Sequence, residues 1–330
     1  MSVAQERIMM NLCQPLRCLN LNTLKLSSRF STTLGGIFIF YVSLWILSGL
    51  DASGKWLMAV GVPLLILSWF RFAVHLVLIT ALMVSRRDYA LFKSKAAGFQ
   101  WLRGLTMVAA TLLIFKSLSY LPQAETMAIV FMAPLIMLAL APWLLGESQR
   151  VSRWIAAGVG FVGVLIVIRP GSGLDPIGVA LALTATFVVA LQHICTRRLA
   201  VDHPFTTLVW SGMIGTGFLS VLLVWPGVTF GPLFELLGPK DWLILVSTGI
   251  LGSVGHLLQI QAYRLAPASV IAPFIYLQIT AATTVGWLVW GHFPDPVTWL
   301  GIGIICGSGL AIGLYEWRTR NRQTAVVGNN

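Results

Sequence analysis

Arg71 and His75 stand four residues apart in an otherwise apolar run, Phe70-Arg71-Phe72-Ala73-Val74-His75, so a helix would carry both on one face. A permanent guanidinium cation and an imidazole that titrates near neutrality suit a substrate bearing a carboxylate or phosphate. The alternative is that Arg71 pairs with a main-chain carbonyl or snorkels outward. A second group, Gly252, His256, Gln259 and Tyr263, recurs at spacings of four, three and four and draws a polar stripe down one helical face. Either the stripe lines a wet cavity or it makes interhelical hydrogen bonds worth around 0.6 kcal/mol each. Tyr276 and Gln278 follow Pro273, whose missing N–H loosens the helical ladder. Two residues apart, they point to different faces, so at most one lines a given cavity. Lys116 and Glu125 flank the turn Tyr120-Leu121-Pro122, where they can face each other, and are the candidates for coupling or gating. Glu125 also fits the first turn of a helix, where a carboxylate complements the dipole for up to about 1 kcal/mol.

These side chains matter because of what surrounds them. The 330 residues are 57% hydrophobic and only 10% charged, with a mean hydropathy of +0.84, which describes an integral membrane protein. An ionisable group at membrane depth costs roughly 2.5 kcal/mol or more on insertion scales, so each one left there is a site hypothesis. The net charge of +11 is dispersed between apolar runs and forms no basic patch interleaved with aromatics, which argues against nucleic-acid binding. Cys13, Cys18, Cys195 and Cys306 show no CxxC or CxxH spacing and read as free thiols, with no metal site or cofactor implied. The phosphate loop GxxxxGK[ST] and the motifs HExxH and GxSxG are absent, which disfavours a self-contained pump or hydrolase.

Apolar windows of about 20 residues place spans near 34–54, 62–84, 101–120, 124–145, 153–169, 176–196, 206–226, 242–263, 269–290 and 298–316. Turn signals separate them at Asp51-Ala52-Ser53-Gly54, Gly171-Ser172-Gly173, Asp202-His203-Pro204, Gly238-Pro239-Lys240 and His292-Phe293-Pro294-Asp295-Pro296. Residues 1–30 form a cytoplasmic N-terminal tail with no long apolar core; the same poor pattern fits an over-extended start. Residues 317–330 form a C-terminal tail. Sixteen of the 22 Lys and Arg fall on one side of such a chain and three on the other, so both termini are expected in the cytoplasm. Arg103 and Glu147 then sit at cytoplasmic helix ends as anchors, and Gln192 and His193 at the interface beside Arg197 and Arg198. Trp56, Trp101, Trp154, Trp242, Trp299 and Trp317 flank span ends as an interfacial belt, whereas Trp45 and Trp210 lie deeper, against lipid or a substrate ring.

A shift of 145 positions superimposes Gly104 on Gly249, Pro122 on Pro267, Gly146 on Gly291, Trp154 on Trp299 and Gly158 on Gly303 without a gap. The chain therefore reads as two five-helix repeats, over 31–170 and 175–316. Because five is odd, the second copy must cross the bilayer in the opposite sense, which predicts an all-α fold of ten helices in two inverted repeats. Alternating-access carriers are built this way, with substrate sites near the midplane between repeats. Duplication for bundle stability alone is the plainer alternative. Glycines at close helical spacing, among them Gly158, Gly160 and Gly163, and Gly249, Gly252 and Gly255, are expected to pack helices rather than bind ligand.

Several short motifs add a resemblance. These are Trp101-Leu102-Arg103-Gly104, Leu118-Ser119-Tyr120-Leu121-Pro122-Gln123-Ala124-Glu125, Ala133-Pro134-Leu135, Leu145-Gly146-Glu147, Arg169-Pro170-Gly171, the run Ala262 to Ser269, and Ala272-Pro273. In order and spacing they resemble the EamA branch of the drug/metabolite transporter superfamily over roughly residues 34–316. One departure is Gly291-His292, where that family usually repeats Gly-Glu. The resemblance implies secondary transport across a bacterial inner membrane of amino acids and their derivatives, S-adenosylmethionine, riboflavin-like vitamins or organic anions, with export slightly favoured over uptake. The expected partners are a small-molecule substrate, membrane lipid and, from the buried histidines, a proton as coupling ion, in a monomer or homodimer. A membrane-embedded enzyme would need a catalytic constellation converging at depth. A non-transporting subunit or sensor would be expected to carry a soluble domain or extensive loops.

Overall fold

The structure, a computed structural model, describes residues 14–145, 151–169, 173–224, 230–265 and 272–327, and within these most side chains from Leu34 to Tyr315. Glu147, Gly171-Ser172 and Pro267 lie outside the described residues. Helix α1 (Gln14–Val60) begins inside the segment read as a tail and runs unbroken through the first span. The turn expected at Asp51-Ala52-Ser53-Gly54 does not form. Ser53 donates to the Gly49 carbonyl at 2.8 Å and stays in the helix, and the chain turns only at Gly61, whose φ of +108° suits a residue without Cβ, and Pro63.

The turns expected at 202–204 and 292–296 hold, each for a local reason. Asp202-His203-Pro204 opens α8 (Pro204–Leu223), where the His203 ring accepts the Phe205 N–H. Asp295 caps α12 (Pro296–Val327) by accepting from Val297 and Thr298. Asp175 does the same for α7 (Pro176–Arg198). Between these lie α2 (Leu64–Ser85), α3 (Ala97–Leu118), α4 (Gln123–Val130), α5 (Ala133–Leu145), α6 (Val151–Ile168), the short α9 (Gly231–Leu236), α10 (Pro239–Leu265) and α11 (Gln278–Trp290). No strand occurs among the described residues.

Eight of these helices are long and apolar enough to cross a bilayer. The chain is an all-helical, multi-pass membrane protein. The fourth and ninth expected spans are each interrupted instead. The fourth breaks at Phe131-Met132, just ahead of Pro134, into α4 and α5. The ninth starts as a 3₁₀ helix (Ala272–Leu277) containing Pro273 and becomes α-helical at Gln278, which fits the loosened ladder expected there. Ala133 and Gln278, where the regular helix resumes, are themselves 145 residues apart.

The most extensive helix pairings run across the two halves. α1 lies along α10 and α3 along α7; α2 pairs with α8 and α6 with α12. α6 and α12 approach closely at their backbones, where a Cβ on Gly163 would stand 2.8 Å from the Gly301 carbonyl, so small residues set that spacing. One core cluster joins α4, α6, α7, α11 and α12 around Met127, Phe131, Val164 and Tyr276. A second joins α1, α2, α3 and α10 around Leu57, Ile66, Phe115 and Leu245. α4 packs against α11, but α5 goes to α6 and α7 while 272–277 goes to α1 and α12. The two interrupted spans thus close together at one end and part at the other.

Candidate substrate pathway

Arg71 is the centre of a cluster drawn from four helices. Its Nη1 donates to Thr111 Oγ1 of α3, and its guanidinium carbon lies 5.3 Å and 5.7 Å from the ring centroids of Phe72 and Phe115. On α10, a Cβ at Gly252 would stand 3.6 Å from Arg71 Nε, so this helix backs directly onto the charge. From α1, Asp51 acts on Arg71 electrostatically, yet the two make no ion pair within 4.0 Å. At 1.5 Å per residue both lie about 10–14 Å from the α1–α2 turn, one on each arm of that hairpin. Sequence reasoning missed Asp51 because it was read as a turn residue. The usable signal was that the true helix breakers, Gly61 and Pro63, come a full two turns later.

The other candidates divide into those that join this cluster and those that do not. His256 shares α10 with Gly252, is partly buried, hydrogen-bonds Gln259 and feels the Arg71 charge. Thr111 and His256 occupy equivalent repeat positions, 145 apart, and both attend Arg71. The Tyr263 side chain lies outside the described residues. His75 is 4% exposed and both ring nitrogens are engaged, Nδ1 with Ser253 Oγ at 2.9 Å and Nε2 with the Leu208 carbonyl at 3.2 Å. It ties α2 to α8 and α10.

Tyr276 packs edge to face on Phe131 with centroids 6.3 Å apart, and its hydroxyl occupies the notch left by Gly309 of α12. Gln278 is partly buried where α11 begins. Lys116 and Glu125 do not face each other. Lys116 lies over the Tyr120 ring at 5.3 Å, and the charges acting on Glu125 come from Asp295, His292 and Lys55. Lys55 itself donates to the Leu121 carbonyl at 2.7 Å and lies over Trp290 at 5.1 Å. It stands within α1, not beyond it.

One residue expected at the surface is internal. Arg103 is 8% exposed and binds Thr196 of α7 at 2.9 Å and Ser211 of α8, so it joins three helices instead of anchoring one. Partly buried His193 feels the same charge. Trp210 donates to the Phe92 carbonyl at 3.0 Å, which fixes it to the 85–96 loop.

Each end of the bundle carries an aspartate tie. Asp295 accepts from the Thr298 N–H and hydroxyl, from the Val297 N–H and from Arg169, at 2.8 Å for the guanidinium, and these donors hold its carboxyl at about 2. At the other end the partial burial of Asp202 raises its pKa, but hydrogen bonds from Ser94, the Lys95 N–H and Gln100 outweigh this and hold it below the usual carboxylate range.

The model of the EamA-like transporter family matches residues 31–169 and again 176–314. The chain belongs to the EamA-like transporter family. Among its relatives, a riboflavin transporter of Vibrio cholerae serotype O1 is 25% identical over 269 residues, covering 81% of this chain and 88% of that protein. An S-adenosylmethionine uptake transporter of Rickettsia bellii is 26% identical over 223 residues, covering 67% of this chain and 74% of that one. A crystal structure with 17% identity superposes with a TM-score of 0.61 over 88% of this chain and 98% of the other, which speaks for the fold alone. Within this EamA-like chain, the two family matches contain the two interrupted spans and divide Arg71 and Thr111 from His256.

Proposed function

We propose that the protein is a secondary carrier of the bacterial inner membrane, with both termini cytoplasmic, moving a small polar organic metabolite by alternating access. On this reading ten spans form two inverted five-helix repeats. The shared 145-residue offset of the two broken helices supports it, as does the pairing of α1 with α10 and of α3 with α7, which interconvert when the halves are exchanged. Residues 31–170 and 175–316 are the repeats, flanked by the tails.

The observation that carries the substrate side is the Asp51–Arg71 gap. An acidic and a basic side chain that act on one another at membrane depth without an ion pair within 4.0 Å are each costly to ionise unless something bridges them. A substrate bearing both an ammonium and a carboxylate would do so, with the anion on Arg71 and the cation on Asp51. Amino-acid derivatives, S-adenosylmethionine included, have that pattern. A neutral heterocycle such as riboflavin would leave Asp51 and Arg71 to close on each other, and an organic anion would use Arg71 alone. His256 and Gln259 would add polar contacts, with Tyr276 and Gln278 near the mid-span breaks. His75 would position α2. Lys116 and Glu125 remain the gating candidates, each with a new neighbour.

Comparing metabolites inside and outside cells with and without the gene, then with Arg71→Ala and His256→Ala, tests the reading. Correctly inserted variants that transport as well as the parent would remove the site assignment. Proton coupling, proposed from His256, predicts that flux into proteoliposomes responds to an imposed pH gradient; indifference to both that gradient and the membrane potential would leave facilitated exchange.

A further inference from the structure

At the closed end of the α4–α11 seam, three oxygens from three helices have no hydrogen-bond partner although their side chains are almost wholly buried. They are Ser48 Oγ of α1, Gln123 Oε1 of α4 and Thr283 Oγ1 of α11, in residues 0%, 1% and 4% exposed. Hydroxyls inside such helices ordinarily bond the carbonyl one turn back. Thr280 and Thr284 do so at 2.6 Å and 2.7 Å, on either side of Thr283, and Ser43 and Ser53 do so around Ser48. Ser48 and Thr283 decline that bond. An unpartnered polar atom in a region without bulk water costs on the order of 1–3 kcal/mol, so three together need a ligand.

Register brings Ser48 and Thr283 to one level. Lys55 of α1 lies over Trp290 of α11, and these helices pack side by side. Seven residues inward on each, two turns or about 10 Å, stand Ser48 and Thr283 at matching depth. Gln123 fills the space between: its Nε2 donates to the Ser48 carbonyl at 3.0 Å, and its Cβ lies 3.7 Å from where a Cβ would sit on Gly286, one turn from Thr283.

We propose that Ser48, Gln123 and Thr283 form a binding site for a monovalent hard cation, sodium in the first instance, at the junction of α1, α4 and α11. The three unpartnered atoms are all oxygens, from two hydroxyls and an amide, and such oxygens suit hard cations. Glu125, two residues along α4, also has an unpartnered buried Oε2 but lies on a different face of that helix, so the ligand set proposed is the three neutral oxygens alone. The ligands come from both halves, so separating α4 from α11 takes the site apart. Sodium binding would therefore favour the closed seam.

The test is thermal unfolding of the purified full chain in detergent, in which choline chloride is replaced stepwise by sodium chloride at constant ionic strength. Expected is a saturable upward shift of Tm by a few degrees with sodium, smaller with potassium. Thr283→Val, which keeps the volume and removes the oxygen, should abolish the shift, and Ser48→Ala should do the same, while Thr283→Ser retains it. Equal Tm in sodium and choline, or a shift that persists in both oxygen-removing variants, overturns the site and leaves ordered water as the occupant. The readout requires no substrate, so its failure is separate from failure of the carrier reading.

Discussion

Phe131 and Tyr276 are 145 residues apart in the chain and meet edge to face with ring centroids 6.3 Å apart. Each sits at the interruption of its span, and the repeat offset makes them the same position in the two halves. Backbone irregularity at membrane depth is tolerated only where neighbouring protein or water satisfies it. At the first break the Thr186 hydroxyl donates to the Ile129 carbonyl at 3.2 Å, while the two rings pack on each other and Tyr276 fills the Gly309 notch. A Cβ on Gly309 would lie 1.8 Å from the Tyr276 hydroxyl, so Gly309→Ala should force the ring off its site. The expected cost is about 1–3 kcal/mol in thermal unfolding. Adding Tyr276→Leu to the same chain should recover part of it; a purely additive pair would show that the ring does not depend on this notch.

Arg71 and Asp51 make a prediction about activity rather than stability. Arg71→Ala, Arg71→Lys and Asp51→Asn should each lower transport efficiency at least tenfold, about 1.4 kcal/mol or more, with insertion unchanged by surface labelling. Arg71→Lys is included because a point charge lacks the planar fork that bonds Thr111 and stacks between Phe72 and Phe115. If the substrate carries only an anion, Asp51→Asn should transport as well as the parent while Arg71→Ala does not. That single contrast separates a zwitterionic substrate from an anionic one in initial-rate uptake.

Much of this was legible in the sequence, and the failures have physical causes. Apolar runs and Pro/Gly punctuation mark the helices because lipid forces both, and Arg71 stood out because a charge at depth is expensive. Asp51 was hidden because Asp-Ala-Ser-Gly has turn composition, and composition does not reveal that Gly54 is there to admit the Phe115 ring, 2.5 Å from where its Cβ would be. The interrupted spans were read as continuous since periodicity does not register a two-residue break. Glu125 was paired with Lys116 by sequence proximity, whereas Lys55, 70 residues away in the chain, is the cation that the fold brings near it. Arg103 near a helix end looked interfacial until the third helix closed over it.

The Arg169–Asp295 tie gives a pH dependence with a defined sign. A carboxyl held at about 2 in the folded protein, against about 3.9 unfolded, contributes stability that is complete above its unfolded value and is lost as pH falls from about 4 towards 2. Asp295 is largely exposed, so screening reduces the effect, and the helix cap is the larger part of it. Asp295→Asn, which keeps a capping oxygen but not the charge, should flatten the acid limb of Tm against pH and leave Tm at pH 7 nearly unchanged. Arg169→Ala should flatten it less, because the Val297 and Thr298 donors remain.

The one-sided packing of the interrupted spans can be tested by a bond. A Cβ at Gly286 would stand 3.7 Å from Gln123 Cβ, inside the range that a disulfide needs. In a background with the four native cysteines replaced by serine, Gln123→Cys with Gly286→Cys should oxidise readily and pin α4 to α11. If opening of this seam is part of each cycle, oxidation should stop transport and dithiothreitol should restore it. The single Gln123→Cys variant reports the cost of losing the Gln123 amide, so the reversible component belongs to the crosslink alone. Full turnover by the oxidised pair would mean that this end stays shut while substrate crosses, and the moving part would then have to be sought where α5 and residues 272–277 diverge.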